Sequence, residues 1–320
     1  MRVSVVIPAF DAESTVGAAI SSVLWQTYAD AEVVVVDDGS SDATGAIAAA
    51  FPERVRVVRQ DNAGVAAARN RGIAEARGEL IAFCDADDVL LPSHLEALVA
   101  TFDRHGGGIA TSNCYWLFAN GIHPSRVRYK GGFPRPERQR RAILEQNFVS
   151  TMSLFPRRLA DDLGGFSTEL EVAEDWDFWL RAIYSGLRVA LQPRPLALYR
   201  WGSGSLSAAP ARMDEHVEAV LRRAAERDDL QPDERAYLER RLAGPSPVEL
   251  GRRGDEALRA GRYREAAENY RRAADLVPAE PRLVWKARVL RPAPWLAGPL
   301  VRRRQLRIEQ AIGFDEGHVR

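Results

Sequence analysis

Residues 78–92 read GELIAFCDADDVLLP. The run 80–84 is apolar and closes on Asp85, Asp87 and Asp88. A short apolar run of this kind, entered from a glycine and left through acids, reads as a strand buried on both faces. Such strands belong to parallel sheets, whose ligands bind beyond the carboxyl ends of the strands. The acids are therefore expected at a ligand edge. Two carboxylates about 5 Å apart repel by roughly 3 kcal/mol at an effective dielectric of about 20. They either splay into water or share a cation. In an extended chain Asp85 and Asp87 point to one side and Asp88 to the other, so Asp88 is expected to serve the following turn and helix cap.

The same grammar recurs on the N-terminal side. RVSVVIPAF and AEVVVVDDGSSD are apolar runs that end in turns, RVRVVRQ is a third strand, and helical patterns lie between them. STVGAAISSVLWQ carries Val16, Ile20, Val23 and Leu24 at helical spacing behind the candidate cap Ser14, and SDATGAIAAAF opens behind Ser41 or Asp42. GVAAARNRGIAEA is the third helix. Alternating strands and helices predict an α/β, mostly parallel, doubly wound sheet. PAFDAE, DDGSSD and DADD then converge on one edge. Residues 106–150 look less regular, with glycines at 106–108 and a basic helix start at RPERQRR. Beyond them VSTMSLF and LRVALQP read as strands and AEDWDFWLRAI as an amphipathic helix.

Each polar cluster has a plain reading and a chemical one. An Asp-x-Asp is a turn and cap, or a site for a hard cation such as Mg²⁺ or Mn²⁺, which takes one or two carboxylates plus water and phosphate oxygens. Asp38 is an Asx turn at a glycine corner, or an acceptor for a base N–H or ribose hydroxyl. Arg69 is a surface cation, or a guanidinium matched to phosphate. Glu174, Asp175 and Asp177 complement a helix N-terminus, or supply a general base. Trp176 and Trp179 are core, or a wall for a sugar or acceptor.

The order and spacing of these pieces are far more specific than any one of them. VSVVIPAFDAESTVGAAISSVLWQT, VVVVDDGSSDAT, NAGVAAARNRGIAEARGELIAFCDADDVLLP and GGFSTELEVAEDWDFWLR together closely resemble the family 2 glycosyltransferases of GT-A fold, over about residues 1–207. The resemblance implies that Pro8, Ala9 and Phe10 line a nucleotide pocket, Asp38 contacts the base and Arg69 faces the diphosphate. It implies a divalent cation, Mn²⁺ or Mg²⁺, at Asp85 and Asp87, with Asp87 the direct ligand, and Asp175 as catalytic base. Glu174, Trp176 and Arg200 are candidate donor or acceptor contacts. The implied reaction is metal-dependent, inverting transfer from a nucleoside diphosphate sugar, most often a uridine one, to a glycan, lipid-linked or protein-linked hydroxyl. One departure stands out: in ALYRWGSGSLS, Trp201 occupies a place where relatives often carry a basic or histidine-containing stretch, and Arg200 is the cation at hand.

Composition sets the bounds. The 320 residues are 46% apolar with zero formal net charge, which fits a globular protein and argues against a nucleic-acid binder. Cys84 and Cys114 suit neither a disulfide framework nor a metal spacing, and with no signal peptide or spanning run the expected setting is cytoplasmic. We partition the chain into the transferase domain 1–207 (nucleotide-sugar half 1–105, acceptor half 106–207), a helical extension 208–245, a helix pair 246–281 and a basic tail 282–320. GPSP at 244–247 is the expected linker. The helix pair carries Gly254, Gly261, Tyr263, Ala266, Tyr270, Ala273 and Pro278 in a tetratricopeptide-like pattern. A single repeat cannot bury both faces, so neighbouring helices or a protein partner should cover it. Residues 284–307 hold seven Lys+Arg, no acids, Trp285 and Trp295. That mix marks either a peripheral contact with the inner face of the cytoplasmic membrane or packing against the domain.

Two rival functions follow from the same residues. A non-catalytic nucleotide-sugar-binding adaptor would act through the C-terminal helices. A nucleotidyltransferase would need a Gly-rich basic loop after the first strand, where PAFDAEST has none.

Overall fold

The computed structural model describes residues 2–51, 54–119, 121–202, 210–278, 280–303 and 305. The chain divides into two compact units, 1–143 with 147–220, and 144–146 with 221–320.

The first unit is built on a nine-stranded sheet. Strands β1 (Val3–Ala9), β2 (Ala31–Asp38), β3 (Val55–Gln60) and β4 (Leu80–Phe83) run parallel in the order β3-β2-β1-β4. Every residue of β1 and β4 is buried, as continuous apolar runs require when both faces are covered. Helices α1 (Val16–Leu24), α2 (Thr44–Ala49) and α3 (Val65–Glu75) make the crossovers. Val3, Val5 and Ile7 join the core that holds Val16, Ile20 and Val23 of α1. Val6 faces α3 instead, so near to Gly72 that a methyl group there would sit 2.2 Å from Val6. Each large apolar side chain buried in this way contributes about 1.5–3 kcal/mol.

Beyond β4 the sheet becomes mixed. Strand β8 (Ser153–Pro156) is antiparallel to β4, and β6 (Ile109–Phe118) is antiparallel to β8. Strand β9 (Val189–Arg200) is parallel to β6, and β5 (Val89–Leu90) closes the edge against β9. The sequence reading of 106–150 as irregular is corrected here: β6 and β7 (Gly121–Val127) form a ten- and seven-residue antiparallel pair. Their pattern was hidden because Thr111, Ser112 and Asn113 are buried polar residues satisfied by distant partners; Asn113 donates to Tyr129 O and accepts from Tyr129 N. Helices α4 (His94–Arg104), α5 (Gln139–Glu145), α6 (Arg157–Leu163) and α7 (Glu174–Tyr184) complete the unit.

Helix starts differ in detail from expectation. Helix α1 begins behind Thr15, not Ser14, and α2 behind Ala43, although Asp42 accepts from Thr44 N at 2.9 Å.

Helix α8 (Pro210–Ala225) runs across the boundary between the units. The second unit contains α9 (Pro232–Leu242), α10 (Pro247–Arg259), α11 (Tyr263–Leu276) and α12 (Pro281–Leu290), followed by helical residues 294–303. The stretch 244–247 leads straight into α10, because Ser246 caps it by accepting from Glu249 N and Pro247 fills its first turn. Gly254 lies flat under Tyr270, where a Cβ would meet the ring at 2.7 Å, and Ala257, Ala266, Tyr270 and Ala273 are buried. Lys286 is buried too, bonded to Asp255, the Tyr270 hydroxyl and Gln305.

Candidate active site

The loops beyond the carboxyl ends of β1, β2 and β4 are cross-tied by their own polar residues. After β1, Pro8 and Ala9 are buried in the strand while Phe10 is 51% exposed at its end. Asp11 turns the chain at φ 43°, accepts from Ser41 N at 2.8 Å, and its amide donates to Ser40 Oγ. The DDGSSD corner turns at Gly39, φ 77°, which only glycine adopts without cost.

Asp38 does not present a free acceptor. It is 3% exposed, and its oxygens accept from Gln60 Nε2 (2.7 Å), Ala63 N (3.0 Å) and Gly64 N (2.9 Å). It therefore shapes the 60–64 loop ahead of α3. Asp37 is equally engaged, accepting from Ser40 N and from Arg59 at 2.9 Å.

The Asp85–Asp88 segment is a turn, closed by Asp88 N donating to Asp85 O at 3.0 Å. The same-side placement expected for an extended chain does not apply. Asp88 is not the helix cap either. It is 1% exposed and its Oδ1 accepts from Arg200 N at 2.8 Å, fastening the turn to the end of β9, while its Oδ2 is buried without a partner. The Arg200 guanidinium donates to Asp87 O at 2.8 Å, so the cation beside Trp201 reaches the acid turn. Burial and the neighbouring Asp85 push the Asp87 carboxyl up to about 6. Burial with Asp85 and Asp87 pushes Asp88 up as well.

Arg69 was expected to face a diphosphate. Instead it is 3% exposed and bridges two acids of the chain itself, Asp85 at 2.9 Å and Glu174. Its guanidinium lies between the rings of Phe83 and Phe166, 5.5 and 5.7 Å away. Burial works against its charge, but Asp85 and Glu174 outweigh this and hold its pKa above the ordinary value. Burial likewise lifts Glu174 against the pull of Arg69. Glu174 is thus the buried counter-ion of Arg69.

Helix α7 starts at Glu174 behind Ala173, which adopts φ 62°, an uncommon conformation for a residue with a Cβ. Asp175 follows, partly exposed, with Oδ1 accepting from Trp176 N at 2.7 Å and Oδ2 from Asn147 Nδ2 at 2.9 Å. Burial raises its pKa, opposed by Arg69 and Arg128. Trp176 donates to Ile143 O at 2.6 Å and stays partly exposed. Trp179 is wholly buried and belongs to the core.

Sequence reasoning missed Asn147, Thr151 and Arg128. Thr151 donates to Asp85 at 3.3 Å and Asn147 to Asp175, so the segment leading into β8 touches both acids. Arg128 in turn donates to the carbonyls of Asn147 and Val149. None of these residues belongs to a motif. The bonds span 28 and 66 positions, which a local pattern does not reveal. A cavity of about 710 Å³ beside Gly107, Pro156 and Leu187 lies elsewhere and contains none of these residues.

Among the described residues no three His, Cys, Asp or Glu side chains cluster as a self-sufficient metal centre. The turn nonetheless suits a divalent cation delivered with phosphate. Asp87 is held above its ordinary pKa by burial and by a second carboxylate, a buried oxygen of Asp88 lacks a partner, and one or two carboxylates suffice when phosphates complete the shell.

A parallel α/β half with acids at the strand ends, joined to a mixed half that carries a helix opening on Glu174 and Asp175, defines the GT-A class of transferase fold. The chain belongs to glycosyl transferase family 2, whose family model matches residues 4–164. It is 34% identical to the succinoglycan biosynthesis protein ExoO of Rhizobium meliloti over 68% of this chain and 66% of that one. It is 30% identical to the uncharacterized glycosyltransferase EpsJ of Bacillus subtilis over the same shares. The chain thus spans just under two thirds of the length of these relatives. Among solved structures, S. aureus TarS 1–349 superposes with a TM-score of 0.61 at 20% identity, covering 98% of this chain and 92% of that one. The mannosyltransferase PcManGT from Pyrobaculum calidifontis, in complex with GDP-Man and Mn²⁺, gives 0.59 at 21% identity, covering 94% and 84%. These two likenesses show the fold.

Proposed function

We propose that this protein transfers a sugar, with inversion, from a nucleoside diphosphate donor to a hydroxyl of a glycan, lipid-linked or protein-linked acceptor. The observation that carries the reading is one hydrogen-bonded chain of acids at the strand ends. Asp85 is tied through Arg69 to Glu174, and Glu174 adjoins Asp175, a residue that is only partly buried. A base and a cation-binding turn are thereby fixed relative to each other before any ligand arrives, the preorganisation that transfer chemistry exploits.

The donor side belongs to the turn. Asp87, supported by Asp85, would hold Mn²⁺ or Mg²⁺. When bound, the ion would offset the charge that grows on the departing diphosphate. Arg200 lies against the same turn and would add positive charge there. Phe10 offers an aromatic face at the end of β1, and Asp38 holds the 60–64 loop at the end of β2. On the acceptor side, Asp175 takes the proton of the attacking hydroxyl. Asn147 and the Trp176 amide each donate to one of its two oxygens and so fix the orientation of the carboxylate. Displacement from the face opposite the leaving group inverts the anomeric carbon, by the logic of inverting glycosidases with a sugar hydroxyl in place of water.

TarS has been solved with UDP-GlcNAc and PcManGT with GDP-Man, which supports a nucleoside diphosphate sugar here; we favour a uridine donor. The name of the ExoO relative supports surface polysaccharide as the acceptor class. We place the work in the cytoplasm, with the C-terminal helix pair open to a protein partner; among the described residues no helix is long and apolar enough to cross a membrane. The test is Asp175→Asn. It should keep the donor-induced rise in melting temperature and lose about 10²–10⁴-fold in donor turnover, the usual worth of a general base. Near-normal turnover would remove Asp175 from that role.

A further inference from the structure

We infer that the helical residues 294–303 rest on an anionic lipid surface. One side of this helix packs on α11: Gly298 lies so close to Tyr263 that a Cβ would meet the ring at 2.3 Å, and Val301 is 3% exposed. At 3.6 residues per turn, Leu296, Pro299 and Leu300 fall on the side away from Gly298 and Val301, with Leu296 70% and Leu300 71% exposed. Trp295, one turn before Gly298, stands at the flank of this stripe, 57% exposed, with the Arg264 guanidinium of α11 5.7 Å from its ring. The helix is therefore apolar on its outer side as well as its inner one, whereas a helix on the surface of a water-borne domain carries polar residues outward.

The exposed polar residues of this segment of the chain are of one kind. Between 282 and 303 every exposed residue is either arginine or apolar. Arg288 and Arg291 precede the apolar stripe, and Arg302 and Arg303 follow it. No acid occurs between Glu280 and Glu309. Side chains this exposed project from the surface and do not line a groove. Projecting Trp and Leu flanked by arginine match the headgroup layer of a bilayer, where rings and methyl groups sink among the acyl chains and guanidinium groups meet phosphate. The structure also narrows the basic tail read from sequence. Lys286 takes no part, because it is buried in its bonds to Asp255, Tyr270 and Gln305. This inference does not depend on the transferase reading, although a protein held at a membrane is well placed for a lipid-linked acceptor.

The test is flotation of the full chain with vesicles of phosphatidylcholine alone and of phosphatidylcholine with phosphatidylglycerol, at low and physiological salt. The protein should float with the anionic vesicles and less so as salt rises. Arg302→Gln with Arg303→Gln should weaken partitioning by about fivefold per charge. Trp295→Ser, Leu296→Ser and Leu300→Ser together should abolish flotation; the melting temperature should stay close to that of Trp295→Ser alone, which gives up the Arg264 contact, because the two leucines are 70% and 71% exposed. Failure to float with anionic vesicles would overturn the proposal, as would undiminished flotation of the triple variant. So would sedimentation showing that the triple substitution only dissolves a dimer, which would assign the stripe to a second copy of the chain.

Discussion

Replacing Arg69 by methionine separates two roles that a guanidinium can play at this site. The side chain is 3% exposed and holds Asp85 and Glu174, whose own side chains are 23% and 8% exposed. Methionine fills a similar volume between Phe83 and Phe166 but leaves two carboxylates facing each other without a cation. Breaking a buried pair from one side costs about 3–5 kcal/mol, because the stranded charge stays buried. Arg69→Met should therefore lower the unfolding free energy by that amount in urea. Adding Glu174→Gln should recover part of the loss, since it removes the more deeply buried of the stranded charges. The double-mutant cycle would show a coupling of at least 1 kcal/mol. A diphosphate-facing arginine predicts the reverse: nearly unchanged urea stability, no coupling to Glu174, and donor affinity as the only casualty. That result would refute the buried-bridge account of Arg69.

Two further substitutions probe the same architecture. His94 is fully buried, contacts Leu196 O at 3.1 Å, and is pushed by burial down to about 4. The unfolded chain takes up a proton near pH 6.5 and the folded one only near 4, so stability is full above 6.5 and falls as pH drops through that window. The loss is about 3 kcal/mol; urea unfolding at pH 7 and pH 4 should show it in the wild type and not in His94→Asn, measured as the difference between the two proteins. Asn147→Ala removes a hydrogen bond to the Asp175 carboxylate. Because a bond to a charged group is worth about 1.5–3 kcal/mol, the acid limb of the pH–rate profile should move up by about 1–2 pH units; an unmoved limb would mean that Asn147 does not position the base.

How much could be read from the chain alone varied with the range of the interactions. Strand β4 is an unbroken apolar run, and β1 and β2 are apolar apart from Ser4 and the acids at the ends of β2, so their burial and parallel pairing follow from composition and from the helices between them. The order of the acid motifs was also legible, because DDGSSD, DADD and AEDWD each sit at the end or start of an element. What each acid touches was not legible. Asp38 looked like a base acceptor because its donors, Ala63 N and Gly64 N, are backbone amides of a loop that sequence does not position. Arg69 looked like a phosphate ligand because Glu174 lies 105 residues away. Strand β6 was missed because its buried Thr111, Ser112 and Asn113 break the hydrophobic pattern, and Asn113 is satisfied only once Tyr129 folds against it. Local pattern located the acid clusters, and long-range pairing decided what each acid touches.

We propose that the Asp85–Asp88 turn receives a divalent cation together with a nucleoside diphosphate sugar. The most direct measurement is thermal unfolding of the wild type and Asp87→Asn against uridine and guanosine diphosphate sugars, with and without Mn²⁺. At about a hundredfold excess over the dissociation constant a ligand adds roughly 2.7 kcal/mol, or about 5–10 °C for a domain of this size. The account predicts such a rise for the wild type only when donor and Mn²⁺ are both present, and its loss in Asp87→Asn. An equal rise without metal, an equal rise in Asp87→Asn, or no rise with any donor would contradict it.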